Sequence, residues 1–432
     1  MTFMTRWFCA VALALALALP PASARAQAPS LVPGMPPEIQ SWREEILSKE
    51  KYEELAGRWR AYIKSHPRSA VAHVQLARAL RYAGAPEAER AALIQRAYAL
   101  DPKCPEALAA MASTNLTHKK SLVANAEEAL RLAERAATLA PGWADADLEV
   151  WPIATGLGRP AVARQHLVAA FDRGAFKPPI LDFAYNMLRS AEPGAVVFTN
   201  GDNDTYPPLA LQAARDLRTD VLVVNLSLLN LPTYASAVWA GAAGGRAPFT
   251  PAEIETIRRA WEAGGKGRPC STDIVEALVR KVQNGTWTGP VYFAITVAPP
   301  VLECCGQSLE IEGLLLRLRR EPKPADAKDE RMDLDKTLRL FRDTFRLESA
   351  SDLGIRWRPE SAAFMIMTNY AAVLSMAAEK SVQAGRMDDA RYALRTGITM
   401  MDAEGNAKMV RKLATYWKEL EPGSSEPGRW LK

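Results

Sequence analysis

Three prolines at nearly equal intervals constrain the fold of this chain more than any other feature. Pro67, Pro102 and Pro141 are 35 and 39 residues apart, in "SHPRSAVAHVQLARAL", "LDPKCPEALAAMAS" and "LAPGWADADLEVWP". Between them apolar residues recur at helical spacing, and each proline ends one helix and resets the backbone for the next. Because a single helical hairpin cannot bury its apolar face alone, this period predicts stacked helical hairpins.

The junction "AYALDPKCPEALAAMA" resembles the junction between successive tetratricopeptide repeats. The resemblance covers about residues 50–175 and implies a superhelix whose concave surface holds a protein or peptide partner. The large aromatic side chains in this region stand at helical spacing. They are expected to fill the space between helices rather than to bind a ligand; they are Trp59, Tyr62, Tyr98 and Trp143.

The N-terminus has the pattern of a secretory signal peptide. Arg6 precedes an apolar core from Trp7 to Leu19, and small residues at Ala24 and Ala26 precede Gln27. This pattern predicts cleavage before Gln27. Because the apolar run is shorter than the roughly 20 residues of a spanning helix, we expect a periplasmic or secreted protein with no transmembrane segment after cleavage.

Composition argues against a nucleic-acid partner. Removal of Arg6 and Arg25 lowers the formal net charge from +5 to +3, and basic and acidic residues are interspersed. Such a chain lacks the basic patch that nucleic-acid binding requires. With 48% hydrophobic and 24% charged residues, the chain has the composition of a globular protein.

The cysteine pattern fits a disulfide better than a zinc site. Cys104, Cys270, Cys304 and Cys305 remain after cleavage. An oxidising compartment permits a bridge, and the expected pair is Cys270 with Cys304 or Cys305 because these lie in one segment. No CxxC pair is present, so a zinc site has no support.

After about residue 190 the hydrophobic period changes. The apolar runs "GAVVFTN", "TDVLVVNLSLLN" and "GPVYFAITV" are separated by helical segments. This order predicts a βαβ arrangement with a small parallel, Rossmann-like sheet. "SLEIEGLLLRLRRE" fits either a strand or a helix, and a helical hairpin that pivots at Gly385 is expected near the C-terminus.

The fold class is therefore helix-rich α+β, with a tetratricopeptide-like array flanking a small parallel α/β domain. The predicted boundaries are a signal peptide at 1–26, an N-terminal segment at 27–49, helical repeats at 50–190, the α/β domain at 191–320, a linker at 321–332 and a C-terminal helical region at 333–432.

The stretch "FTNGDNDTYP" is the candidate functional motif. It follows the first predicted strand, and open parallel sheets bind ligands at the carboxyl ends of their strands. Polar residues that end the second strand are expected to face the same crevice. The candidate ligand-binding residues are Asn200, Asp202, Asn203, Asp204, Thr205, Asn225, Ser227 and Asn230.

Three interpretations of the motif stay open. Asp202 and Asp204 could bind a divalent cation, or they could act as an acid/base pair if their environments separate their pKa values. In the third interpretation Gly201 supplies a positive φ, and Asp204 or Thr205 caps a helix that begins at Tyr206. The capping turn is preferred, and no catalytic residue or bound cofactor is assigned.

Histidine-dependent catalysis within this segment is excluded unless the two halves of the chain fold onto each other. All four histidines lie before residue 170. A Ser-His-Asp or Cys-His site needs a histidine beside its nucleophile.

"AVVFTNGDNDTYP" followed by "DVLVVNLSLLN" is similar to the soluble tail of a family of bacterial multi-pass membrane proteins. That family is glycosyltransferase-like and otherwise of unknown function, and the similarity covers about residues 180–400. The membrane half of the family is absent here, and Pro208, Leu209 and Ala210 replace the aromatic residues usual after "TYP". The resemblance implies a tail domain inherited without the transferase activity.

The sequence favours an exported interaction or ligand-binding module of the bacterial cell envelope. The helical array would hold a protein or peptide partner, and the α/β domain a small ligand. The alternative is a carboxylate- or metal-dependent hydrolase or transferase that acts on envelope glycans through Asp202 and Asp204. Further acids converging on these two would favour the enzyme, and carboxylates bonded to backbone amides would favour the module.

Overall fold

The computed structural model describes residues 34–117, 121–241, 247–264, 267–324, 331–351, 358–403 and 405–431. The described chain is helix-rich α+β and divides into two compact units between Ala175 and Phe176. The predicted signal peptide lies outside the described residues, as does the first part of the predicted N-terminal segment.

The first unit consists of antiparallel helices joined by short turns. Each of the three prolines lies two positions after the end of a helix, and the next helix begins three positions later. The helices that the proline spacing predicts are therefore confirmed. They are α1 (Lys49–Ser65), α2 (Ala70–Tyr82), α3 (Glu87–Leu100), α4 (Pro105–Thr117), α5 (Ala126–Leu139), α6 (Ala144–Gly156) and α7 (Pro160–Asp172).

The helices of the first unit pack through small residues. Consecutive helices contact each other, and α2 with α4 and α4 with α6 also make direct contact. Ala72, Ala107 and Ala133 are fully buried, and such small side chains let helices approach closely. Of the aromatic residues expected between helices, Trp59 is fully buried and Tyr62 packs against the same cluster, whereas Tyr98 and Trp143 are half-buried.

The second unit combines one sheet with helices that come before, between and after its strands in the chain. The helices are α8 (Pro178–Ser190), α9 (Asp202–Arg215), α10 (Pro232–Ala237), α11 (Pro251–Ala263), α12 (Cys270–Gln283), α13 (Pro299–Leu302), α14 (Leu334–Arg339), α15 (Ala362–Gln383), α16 (Met387–Ala403), α17 (Ala407–Leu420) and α18 (Gly428–Leu431). The strands are β1 (Val196–Thr199), β2 (Leu222–Asn225), β3 (Val291–Ala294), β4 (Leu309–Glu312), β5 (Leu315–Leu318) and β6 (Arg331–Met332).

The sheet is mixed, so the prediction of a parallel sheet is wrong for its second half. Its order is β2-β1-β3-β5-β4-β6. The strands β2, β1 and β3 are parallel, as predicted, whereas β5 runs antiparallel to both β3 and β4. The ambiguous run "SLEIEGLLLRLRRE" is a hairpin, and the end of the predicted linker, Arg331–Met332, is a strand parallel to β4.

The hairpin between β4 and β5 requires a glycine at position 313. Gly313 has φ of +62°, in the left-handed region where side chains are disfavoured. A Cβ atom there would lie 2.6 Å from the Ser190 hydroxyl and 2.8 Å from Leu340. The tight turn therefore brings the hairpin tip directly against α8.

The helix α8 packs with the sheet unit, although the sequence places it at the end of the repeats. The Asn186 amide donates to the Arg346 carbonyl and to the Tyr370 hydroxyl, both at 2.8 Å. Its oxygen accepts the Arg346 amide at 2.7 Å, and Phe183 meets the edge of the Tyr370 ring. The buried face of α8 thus packs against the next helix, α9, and also against residues far along the chain, where helical periodicity gives no signal.

Among the described residues, one helix is long and apolar enough to cross a membrane. It is α15, and 61% of its apolar window is buried inside the fold. Its partner α16 follows after Gly385, which has φ of +72°, at the pivot that the sequence predicts. The buried residues of α15, among them Met367 and Tyr370, give this helix the environment of a core helix.

The predicted disulfide between Cys270 and Cys304 or Cys305 is wrong. All four cysteines in the described chain are free thiols. Cys104, Cys270 and Cys305 are buried, whereas Cys304 is exposed. Proximity in sequence is a weak guide to pairing, because a bridge also needs closely spaced backbones with converging Cβ directions.

We expect one thiol of the folded protein lacking residues 1–26 to react rapidly, and three more only after denaturation. A hydrogen bond from Cys305 lowers the pKa of Cys304, whereas burial raises the pKa of Cys104 to about 12 and also raises that of Cys270. Because the thiolate is the reactive form, Cys304 reacts first. A chromogenic disulfide reagent counts the thiols, and Cys304→Ser should abolish the rapid phase. Only two thiols in denatured, unreduced protein would instead show a bridge.

Candidate functional site

Three parallel strands end at one edge of the sheet and place the candidate residues together. Thr199 at the end of β1 pairs with Asn225 at the end of β2, and Thr296 follows β3 by two positions. The chain passes from the central β1 to β2 on one side and then to β3 on the other. Ligands of doubly wound sheets bind where the strand order reverses in this way.

The candidate motif forms the N-terminus of α9. Gly201 is the N-cap residue with φ of −140°, which is extended backbone open to any residue, and the helix begins at Asp202. The expected positive φ at Gly201 and the expected helix start at Tyr206 are therefore wrong. Asp204 is not the N-cap residue; it occupies the third helical position and reaches back to cap the helix from inside.

The carboxylate of Asp204 is held by three donors from the protein itself. It accepts the backbone amides of Asn200 and Gly201, each at 2.8 Å, and the hydroxyl of Thr296. Only 3% of the residue is exposed. Burial raises the pKa of the Asp204 carboxyl, and the three hydrogen bonds oppose that increase. Asp204 therefore fastens the loop after β1 to the loop after β3.

A second buried cluster joins the ends of β1 and β2. The hydroxyls of Thr199 and Thr205 are 2.6 Å apart, and the Asn225 amide donates to Thr205 at 2.9 Å. The Asn225 side-chain oxygen accepts the amide of Leu228 at 2.9 Å, and its backbone amide donates to the Tyr234 hydroxyl at 3.1 Å. Thr205 and Asn225 thus have structural partners and fix α9 to the sheet.

The remaining candidate residues form a polar rim above this cluster. Asn200, Asp202, Ser227 and Asn230 are exposed, and Asn203 is half-buried. The Asn230 side chain accepts the amide of Ser271 at 3.0 Å and donates to the carbonyl of Ser227 at 3.1 Å. The structure therefore gathers the eight candidates at one sheet edge, and their role in ligand binding stays a prediction.

The described residues do not assemble a metal centre around the motif. Across the described ranges, no group of three or more His, Cys, Asp and Glu side chains is arranged to hold a metal ion. Asp202 is exposed while Asp204 is buried. Hydrogen-bond donors, rather than further acids, surround the Asp204 carboxylate.

Sequence reasoning missed Thr296, which completes the contacts of Asp204. The signal was present, because Thr296 lies near the end of the predicted strand "GPVYFAITV", as Asn200 lies at the end of "GAVVFTN". The rule that placed Asn225 at the sheet edge therefore applies to Thr296 as well. Tyr234, which bonds the backbone of Asn225, lies in a short helix that the sequence analysis does not single out.

A fully buried carboxylate on the antiparallel half of the sheet was also missed. Glu312 is 0% exposed and contacts Lys336, the Tyr292 hydroxyl at 2.9 Å, Arg319 at 3.0 Å and Arg317 at 3.3 Å. Burial raises the pKa of Glu312, but Lys336, Tyr292 and Arg317 together hold it below its usual value. Glu312 is thus kept ionised inside a network of the protein's own charges, which suits a structural role.

Comparison of the chain with known proteins gives two results. No curated protein matches the chain. Residues 180–243 match the family model described as TMEM260-associated domain 2, a family linked to membrane proteins. The matched segment includes most of α8 and all of β1, α9 and β2, and so contains all eight candidate residues. The part of the chain that builds the polar rim is therefore similar to TMEM260-associated domain 2.

Proposed function

We propose that this protein is an exported interaction module of the bacterial cell envelope. In this proposal a tetratricopeptide-like array holds a protein or peptide partner, and a Rossmann-like region presents the polar rim to a small ligand. The observation that carries the proposal is the environment of Asp204. Its carboxylate accepts two backbone amides and one hydroxyl, so it stabilises the loop instead of being available for acid/base chemistry.

The repeated geometry of the first unit supports the tetratricopeptide-like assignment. The same pattern occurs around Pro67, Pro102 and Pro141. A helix ends, a proline follows two positions later, and a new helix begins three positions after the proline. The direct contacts of α2 with α4 and of α4 with α6 add a second regularity. Arrays built in this way present one continuous face to a partner.

The composition of the rim supports a small polar ligand. Its exposed groups are the side chains of Asn200, Asp202, Ser227 and Asn230, which offer amides, a hydroxyl and one carboxylate. Such groups can donate and accept hydrogen bonds but provide little apolar surface. Localisation in the envelope rests on the signal-peptide pattern, and the link of the matched family to membrane proteins is in keeping with it.

A capture experiment with a paired activity assay tests the proposal. The leaderless full chain is immobilised and exposed to a bacterial envelope extract, beside an Asp202→Ala/Ser227→Ala rim variant. We expect both baits to retain the same protein, because the helices hold it. The same two proteins are incubated with envelope glycans. Release of sugar fragments by the wild type but not by the rim variant would establish the hydrolase or transferase alternative instead.

A further inference from the structure

Residues 35–46, called the N-terminal strap here, lie against the first unit and form no helix. Ile39 of the strap is buried in a cluster with Leu55 and Trp59 of α1 and Leu76 of α2. Pro36 and Pro37 fix the backbone before it and provide no amide donor. The strap therefore has no regular structure at 35–41 and turns at 42–44, and its two buried residues are Pro36 and Ile39.

Side chains of the helices hold the backbone of the strap. The Trp59 indole donates to the Pro37 carbonyl at 3.1 Å, and Arg78 donates to the Ile39 carbonyl at 2.9 Å. The Ile39 amide donates to the side-chain oxygen of Gln75 at 2.8 Å. Bonds of this kind recognise an extended main chain whatever its side chains, so another segment with the same backbone path could accept them.

The strap lies on the face of the unit lined by α2 and α6. The helices α2, α4 and α6 contact one another in turn, whereas α3, α5 and α7 make no comparable contacts in the described chain. Closely spaced alternate helices mark the inner side of such a stack. The strap contacts Gln75 and Arg78 of α2 and, through buried Arg43, pairs with Asp145 of α6.

Two large apolar side chains of the strap itself are exposed. Trp42 is 49% exposed although its ring stacks on Tyr82 at 4.8 Å, and Ile46 is 39% exposed. These are two of the three exposed large hydrophobic side chains among the described residues. The strap therefore buries its own apolar side chains incompletely, and a segment that buried more apolar surface in the same path would gain binding free energy over it.

We propose that the strap is a built-in occupant of the partner-binding face and competes with the partner for it. That partner is an extended, proline-containing segment of another protein, with an aliphatic side chain for the pocket of Ile39. This inference rests on the proposed function, since it assigns the partner class of the helical array. Because the strap is covalently attached, its effective concentration is in the millimolar range, so a free peptide must compete with it.

Cutting the strap from the folded protein tests this proposal. A protease site is inserted between Leu47 and Ser48 of the leaderless full chain, and a labelled peptide of residues 34–47 is followed by fluorescence anisotropy. We expect saturable binding to the cut protein and at least tenfold weaker binding to the uncut protein. A peptide with Ile39→Asp should bind the cut protein at least tenfold more weakly. A Glu38→Gln peptide is the matched control, because Glu38 is exposed.

A second variant covers the case in which cutting damages the fold. Ile39→Asp in the uncut chain should release the strap and allow the wild-type peptide to bind as it does to the cut protein. Retained helical circular dichroism with no exchange of peptide would show a permanent structural segment, and equal binding to cut and uncut protein would place the peptide elsewhere. Either result overturns the proposal. Neither depends on capture of an envelope partner, so failure here is distinct from failure of the proposed function.

Discussion

Replacement of Glu312 by glutamine is expected to lower the free energy of unfolding by about 3 to 5 kcal/mol, the cost of removing one partner from a buried ion pair. The fully buried Glu312 carboxylate contacts Lys336, Arg317, Arg319 and Tyr292. A neutral amide cannot balance those cations, which are themselves largely withdrawn from water. The second unit, rather than the helical array, should therefore unfold first in the variant.

Urea denaturation of the two proteins measures this effect, and its pH dependence identifies the cause. The pKa of Glu312 is lower in the folded state than its usual value of 4.5. Its contribution to stability is therefore fully present above the usual value and is lost as the pH falls through the folded value. The free energy of unfolding of the Glu312→Gln variant should not show that decrease at low pH.

Glu303→Gln is the matched control for Glu312→Gln. Glu303 is exposed, so its replacement should change the free energy of unfolding by no more than about 0.5 kcal/mol, as for most surface substitutions. Equal effects at positions 303 and 312 would contradict the assignment of a buried charge network.

Replacement of Asp204 by alanine is expected to cost about 2 to 3 kcal/mol of stability, because donors that lose their acceptor at a buried site pay a desolvation penalty. Those donors are the amides of Asn200 and Gly201 and the hydroxyl of Thr296. Asp202→Ala is the control, with a loss below about 1 kcal/mol because water screens the charge interactions of an exposed first-turn acid. Thermal and urea unfolding of both variants would measure the difference.

The same pair of variants decides the cation hypothesis. If Asp202 and Asp204 shared a divalent ion, Ca²⁺, Mg²⁺ or Mn²⁺ would raise the melting temperature of the wild type. We expect no such increase, because Asp204 is occupied by protein donors. An increase that disappears in both single variants would move the carboxylate- or metal-dependent enzyme ahead of the interaction module.

The sequence predicts those parts of the fold whose partners lie nearby in the chain. The proline period places the helices of the first unit, and the continuous apolar runs place β1, β2 and β3. The antiparallel half was ambiguous because "SLEIEGLLLRLRRE" mixes leucines with Glu310, Glu312, Arg317 and Arg319. Those charges are compatible with burial only because they pair with one another, which a hydrophobic pattern cannot show.

The site was predictable in location but not in detail. The rule that ligands meet the carboxyl ends of parallel strands brought the eight candidates to one edge of the sheet. It could not divide them into the buried Asp204, Thr205 and Asn225 and the exposed rim. That division depends on Thr296 and Tyr234, which come from segments 62 residues apart in the sequence and converge only in the folded sheet.

The contacts of α8 have a consequence for the order in which this chain can fold during synthesis. Asn186 bonds Arg346 and Tyr370, which are 160 and 184 residues further along. At ordinary rates of translation those residues emerge on the order of 10 to 40 seconds later. The helical array, whose contacts are between near neighbours, can fold as it is made. The helix α9 can pack against α8 soon after both are made, but the Asn186 side chain lacks its partners until residues 346 and 370 follow. This interval is when chaperones or proteases would meet the nascent protein.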